Sequence, residues 1–194
     1  LSADFEDLPP PLIKSLGPPL AATEHKGLAP FFYLPHSQLI ATYGVSHFES
    51  GMEANYEITK RFTAEFSIRP FLIEHRSKCL KLLKRWTKDK NPHIRRLVSE
   101  GTRPRLPWAM RLPEFQQDPN LTLPLLEALK DDPELYVRRS VANHLADIAK
   151  DHLDFTFDVC EQWLNEADGS DDSRSDNRRW IVRHVVRLPA KKRN

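Results

Sequence analysis

The feature that most constrains this chain is a stretch that returns. Trp86-Thr87-Lys88-Asp89-Lys90-Asn91-Pro92-His93-Ile94-Arg95-Arg96-Leu97 is echoed by Leu129-Lys130-Asp131-Asp132-Pro133-Glu134-Leu135-Tyr136-Val137-Arg138-Arg139-Ser140, with an apolar anchor eight residues before a branched one in both. Ile94 and Val137 stand 43 residues apart, and Val182-Arg183-His184 comes 45 residues after Val137, beyond the polar insertion Asp168 to Asn177. A period of about 40 to 47 residues marks stacked helix pairs, none of which can bury its apolar face alone.

The predicted fold is therefore all-α, a curved α-solenoid of HEAT-like helix pairs whose second helices line a concave face. Met52, Tyr56, Thr59, Phe62, Thr63 and Phe66 follow i, i+3 and i+4 steps, which predicts a long helix from Phe48 onward. Further helices are expected over about 76–88, 92–100, 121–131, 134–149, 153–166 and 176–188, between Pro, Asp and Gly breakers. Strand signals are nearly absent. Pro9-Pro10-Pro11, Pro18-Pro19, Pro30 and Pro35 oppose long helices near the amino end. Residues 1–47 are thus expected as an extended lead-in with short helical turns, packed through Phe31-Phe32-Tyr33-Leu34 onto a repeat domain over 48–194.

At 194 residues the chain can form one core, and no apolar run approaches the roughly 20 residues of a membrane span. The amino end shows no signal-peptide pattern, so the expected address is intracellular and cytoplasmic. Cys79 and Cys160 lack CxxC spacing and do not cluster with the eight histidines. Neither a metal site nor a disulfide framework is expected, and both cysteines read as reduced, buried thiols. The net charge of +2 hides a segregation. Residues 60–111 carry 15 Lys or Arg against 4 acids, residues 112–177 carry 5 against 16, and residues 178–194 are +7. Such blocks point to a basic surface for a polyanion beside a solvated acidic one, although ordinary helices also expose charges of this kind.

The chemistry-bearing run is Ile94 to Trp108, where Glu100 sits among Arg95, Arg96, Arg103 and Arg105 and an indole closes the segment. Guanidinium forks match phosphates, and a carboxylate can stabilise a developing cation. Arg95, Arg96, Arg103, Arg105, Arg138, Arg139 and Arg183 are candidate phosphate contacts. About half of them are expected to be scaffold, with Asp89 and Asp132 placed where partners of a repeat arginine would be. Glu65 lies in the apolar stretch Phe62 to Phe71 and needs a partner, for which Arg69 at i+4 is the plain choice. Glu100 reads equally as a partner of Arg96 or Arg103. Trp108 follows Pro107, which can hold the indole outward to meet a deoxyribose or a cationic base, whereas Trp86, Trp163 and Trp180 read as core. His93 and His144 read as structural. No GxSxG, Walker or dinucleotide-binding glycine pattern occurs.

Four segments together resemble a known family. They are Leu28 to His36, Thr59 to Phe71, Arg95 to Trp108 and Tyr136 to Leu145. The chain is similar to the HEAT-like DNA alkylation repair glycosylases, in particular their AlkC branch within the AlkD-like superfamily, over roughly residues 28–188. The resemblance implies a monomeric base-excision repair enzyme without cofactor. Its implied action is to remove cationic alkylated bases such as N3-methyladenine or N3-methylcytosine from duplex DNA without flipping the base. A stacked cationic base is already an activated leaving group, so no general acid is required. A carboxylate then stabilises the oxocarbenium-like sugar and orients water. Glu100 and Glu65 match the family's acidic positions, and Trp108 matches its sugar-contacting aromatic. Nucleoid association follows from the same resemblance, as does a repeat domain shortened at both ends. Two other readings share the residues: a DNA-binding module in which both carboxylates serve only as ion-pair partners, and a protein-interaction scaffold.

Overall fold

Proline sets where many of these helices begin. The computed structural model describes residues 9–23, 29–167 and 172–192, and among them every regular element is helical. In order these are α1 (Pro9–Ser15), α2 (Leu34–Tyr43), α3 (Phe48–Thr59), α4 (Ile68–Glu74), α5 (Arg76–Trp86), α6 (Pro92–Gly101), α7 (Pro113–Gln117), α8 (Leu123–Leu129), α9 (Leu135–Ile148), α10 (Leu153–Asn165) and α11 (Ser173–Lys192). Short 3-10 turns cover Ala29–Tyr33 and Pro119–Leu121. Proline occupies the first turn of α2, α6, α7 and α8, where its missing N–H has no helical partner to lose.

The chain divides into two compact units, residues 1–97 and 98–194, and the division falls inside α6. In the first unit the expected long helix stops at Thr59, and the apolar pattern out to Phe66 continues in a turn that leads into α4. The chain before α3 supplies the reason. The Leu20 N–H donates to the Lys60 carbonyl at 2.7 Å, and Arg61 Nε donates to the Gly17 carbonyl at 2.6 Å, so the end of α3 is held from outside the helix. The described residues ahead of α3 hold the short helices α1 and α2 and the Ala29–Tyr33 turn, with Pro9 and Pro35 in first turns, where proline is tolerated. The Phe31 ring packs on Phe62 with centroids 5.7 Å apart while remaining 46% exposed, Phe32 and Leu34 are 72% and 40% exposed, and the buried anchors here are Leu16 and Ile40. Leu28, and Asp168 to Asp171 of the polar insertion, lie outside the described residues.

Met52, Ile58, Ile68, Phe71, Leu72, Leu83, Ile94 and Leu97 form the first unit's core. Gly51 is required there, since a Cβ on it would lie 2.5 Å from the Phe71 ring and 2.6 Å from the Gly44 carbonyl oxygen. The second unit packs α9 against α11 and encloses Trp163, whose Nε1 donates to Glu127 at 2.6 Å. Trp86 and Trp180 are half-buried rather than core. Both thiols are buried, which pushes the pKa of Cys79 up to about 12 and that of Cys160 to about 11.

The internal repeat reappears atom by atom. Asp89 Oδ1 accepts from the Asn91 N–H, and Asp132 Oδ1 accepts from the Glu134 N–H, just before α6 and α9. Arg95 Nη1 donates to the carbonyls of Asp89 (2.9 Å) and Lys90 (3.2 Å), while Arg138 Nη1 donates to those of Asp132 (2.7 Å) and Pro133 (2.8 Å). Each arginine thus closes the turn ahead of its own helix, and the aspartate it was expected to pair with contributes a backbone carbonyl.

Candidate active site

In the second unit the carboxyl end of α6 is gripped by one face of α9. Ser140, His144 and Asp147 lie at i, i+4 and i+7, and all three are buried. Ser140 Oγ donates to Glu100 Oε2 at 2.6 Å, His144 Nδ1 donates to the Ser99 carbonyl at 3.0 Å, and Arg103 Nε donates to Asp147 Oδ2 at 2.8 Å. Arg103 Nη1 also donates to Glu100 Oε1 at 2.6 Å, so one guanidinium joins two carboxylates. Lys150 Nζ completes the cluster at 2.7 Å from Asp147 Oδ1. Glu100 is only 5% exposed, and each of its oxygens holds a donor. A donor on each oxygen holds the carboxylate in place.

Burial works against the charge on Arg103, but Glu100 and Asp147 outweigh it and hold the guanidinium above its ordinary pKa. Burial pushes His144 down to about 4, with the Arg103 charge adding to the effect and the Ser99 carbonyl opposing it. At neutral pH a charged Arg103 guanidinium therefore lies in the same cluster as a neutral His144 imidazole. Asp147 and Ser140 were absent from the sequence-derived site residues. Their signal was available in the i, i+4, i+7 spacing of polar residues on the buried face of a helix.

Glu65 belongs to the first unit, in the turn between α3 and α4. Its Oε2 accepts from Arg96 Nη1 at 2.7 Å and from Thr63 Oγ1 at 3.0 Å. Arg96 stands 31 positions away, outside the reach of an i+4 argument.

Trp108 lies in the loop joining α6 to α7. Its indole is 96% exposed and its φ is +62°, the left-handed region that a bulky side chain seldom occupies. Arg105 of the same loop makes a two-pronged contact with Asp151, Nε to Oδ2 at 2.7 Å and Nη2 to Oδ1 at 2.5 Å. Five of the seven candidate arginines thus have partners within the protein: Arg95 and Arg138 on carbonyls, Arg96 on Glu65, Arg103 on Glu100 and Asp147, and Arg105 on Asp151. Arg139 and Arg183 are exposed, as is Arg187, and the charges of Arg187 and Arg139 add to burial in lowering the His184 pKa. The His184 ring stacks on Trp180 with centroids 5.2 Å apart. Lys78, Lys81, Lys84, Arg85, Lys88 and Lys90 are exposed on and just after α5 in the first unit.

Residues 59–184 match the family model described as "DNA alkylation repair enzyme". The chain belongs to the DNA alkylation repair enzyme family. Among family relatives, the Bacillus subtilis (strain 168) uncharacterized protein YhaZ is 38% identical over 189 residues, covering 97% of this chain and 50% of YhaZ. Among solved structures, the Pseudomonas fluorescens alkylpurine DNA glycosylase AlkC bound to DNA containing an abasic site analog superposes with a TM-score of 0.77 at 42% identity. That match covers 85% of this chain and 44% of AlkC. The chain therefore spans about half the length of the relatives it matches. The all-helical repeat architecture agrees with this membership. No described helix is long and apolar enough to cross a membrane, and no group of three or more His, Cys, Asp or Glu among the described residues could hold a metal ion.

Proposed function

We propose that this chain is a DNA glycosylase of the alkylation-repair type, which hydrolyses the N-glycosidic bond of cationic alkylated bases in duplex DNA. Bases of the N3-methyladenine and N3-methylcytosine type fit this chemistry, because the positive charge makes them good leaving groups without a general acid. The observation that carries the reading is Glu100, a buried carboxylate held in place by Arg103 and Ser140. A preorganised anion of this kind stabilises the oxocarbenium-like sugar formed as the base departs, and it needs no reorganisation to do so. Glu65 supplies a second fixed anion. Trp108 presents an indole face to the deoxyribose. A base that leaves directly from the stack requires no pocket to receive it, and removal without flipping is part of the proposal.

Arg139 and Arg183 are the proposed phosphate contacts among the original candidates, with Arg187 and, within the first unit, the exposed cations of α5 as further candidates. The proposed partner is alkylated duplex DNA, bound by a monomer, with nucleoid association in the cell. Arg95 and Arg138 act as scaffold in this proposal. Arg96, Arg103 and Arg105 position carboxylates.

Release of free methylated base from methylated duplex DNA tests the assignment. The parent releases base, and Glu100→Gln binds the same DNA without releasing it. One observation favours a second reading: both carboxylates already have arginine partners, as they would in a DNA-binding module without turnover. A folded parent that binds DNA and releases no base establishes that second reading.

A further inference from the structure

Three residues on one face of α9 touch three positions in the last turn of α6 and just beyond it, all within the second unit. Ser140 touches Glu100, His144 touches the Ser99 carbonyl, and Asp147 touches Arg103. Removing Asp147 would release Arg103, which has a second task on Glu100. Removing His144 would release a backbone carbonyl that is shared with the helix. Ser140 differs from both, because its hydroxyl reaches Glu100 directly, at Oε2, while Arg103 Nη1 is on Oε1. The terminal torsion of a glutamate is broad and roughly two-fold. A donor on each oxygen narrows it and orients the carboxylate plane.

We infer that Ser140 is a positioning residue for the glycosylase reaction, its hydroxyl at Oε2 fixing the orientation in which the Glu100 carboxylate faces the reacting sugar. This rests on the reading that Glu100 carries the chemistry. Ser140 makes no contact with DNA in this account, so its loss affects turnover and leaves DNA affinity alone.

The test uses the full chain, duplex DNA methylated at adenine N3, and a duplex containing an abasic-site analogue. Ser140→Ala is expected to lower kcat for base release roughly tenfold, as loss of a hydrogen bond to a charged group would. KM and the Kd for the abasic duplex stay at parent values. Ser140→Thr, which keeps the hydroxyl, is expected to recover most of the rate. A Ser140→Ala protein that matches the parent in kcat overturns the role of Ser140, and so does one that loses rate only in proportion to a loss of folded protein. Absence of base release from the folded parent instead overturns the reading of Glu100 on which the inference rests. The two failures are read from different proteins.

Discussion

Arg103 reaches 44 positions along the chain to place its Nε 2.8 Å from Asp147, and the same guanidinium holds Glu100 at 2.6 Å. Two carboxylates buried this close together would repel strongly without the cation between them. Arg103→Met should therefore leave buried charge unsatisfied and destabilise the fold by about 3 to 5 kcal/mol. Urea unfolding of parent and variant at pH 7.5 measures the difference. A loss under 1 kcal/mol would mean that water or Lys150 replaces the guanidinium.

Acid should weaken the fold well before carboxylates titrate. His144 has a folded pKa of about 4 against an ordinary 6.5, so the native state binds fewer protons than the unfolded chain. Its contribution is complete above about pH 6.5 and is lost as pH falls from there to about 4. Burial lowers His93 and His184 in the same direction. The His144 share comes to about 2 kcal/mol between pH 7.5 and pH 5. The lowered carboxylates Glu57 and Asp151 act only below that window. Unfolding free energies measured against pH should slope between 6.5 and 5 in the parent and become shallower in His144→Gln, with the remaining slope left to His93 and His184.

Trp108 should show a divergence between stability and activity. Replacing it with Gly relieves a positive φ and removes an indole that buries almost nothing, so Tm should hold or rise slightly. Base release should fall in the same variant. A core role predicts a drop in Tm instead, and one melting curve separates the two.

Gly51 offers a purely steric case. Gly51→Ala forces a methyl into the Phe71 ring and the Gly44 carbonyl, which should cost about 2 kcal/mol or more. The fall in Tm should occur without any change in how DNA affinity varies with salt.

Salt dependence sorts the arginines. Arg139→Ala and Arg183→Ala should each reduce the slope of log binding constant against log salt by about one, because each removes a phosphate contact. Arg95→Ala and Arg138→Ala should leave that slope nearly unchanged and lower Tm. Equal slope changes in all four would return Arg95 and Arg138 to the DNA-binding set.

Helices α5, α6, α8, α9, α10 and α11, and the repeat that organises them, were legible because Ile94, Val137 and their aspartate and proline punctuation carry the signal locally, whereas the short α7 was not foreseen. The end of α3 was not legible, since Leu20 and Gly17 stop it from about forty residues away in sequence. The identity of Glu65's partner was hidden for the same reason. Local spacing can propose Arg69, but only tertiary structure brings Arg96 to 2.7 Å. Glu100 and Arg103 were within reach of an i, i+3 argument. Ser140 and Asp147 were visible only as polar residues on a helix face whose burial a single sequence does not reveal. The 72% exposed Phe32 shows the converse, for apolar character alone does not say which residues are buried.

The outward indole of Trp108 also gives the protein an optical handle. Trp163 is sealed in the second unit's core, Trp86 and Trp180 are partly covered, and Trp108 is almost wholly in water. A collisional quencher such as iodide must therefore reach Trp108 far more readily than Trp163. The loop beside Glu100 can be followed by its own fluorescence, with no label attached.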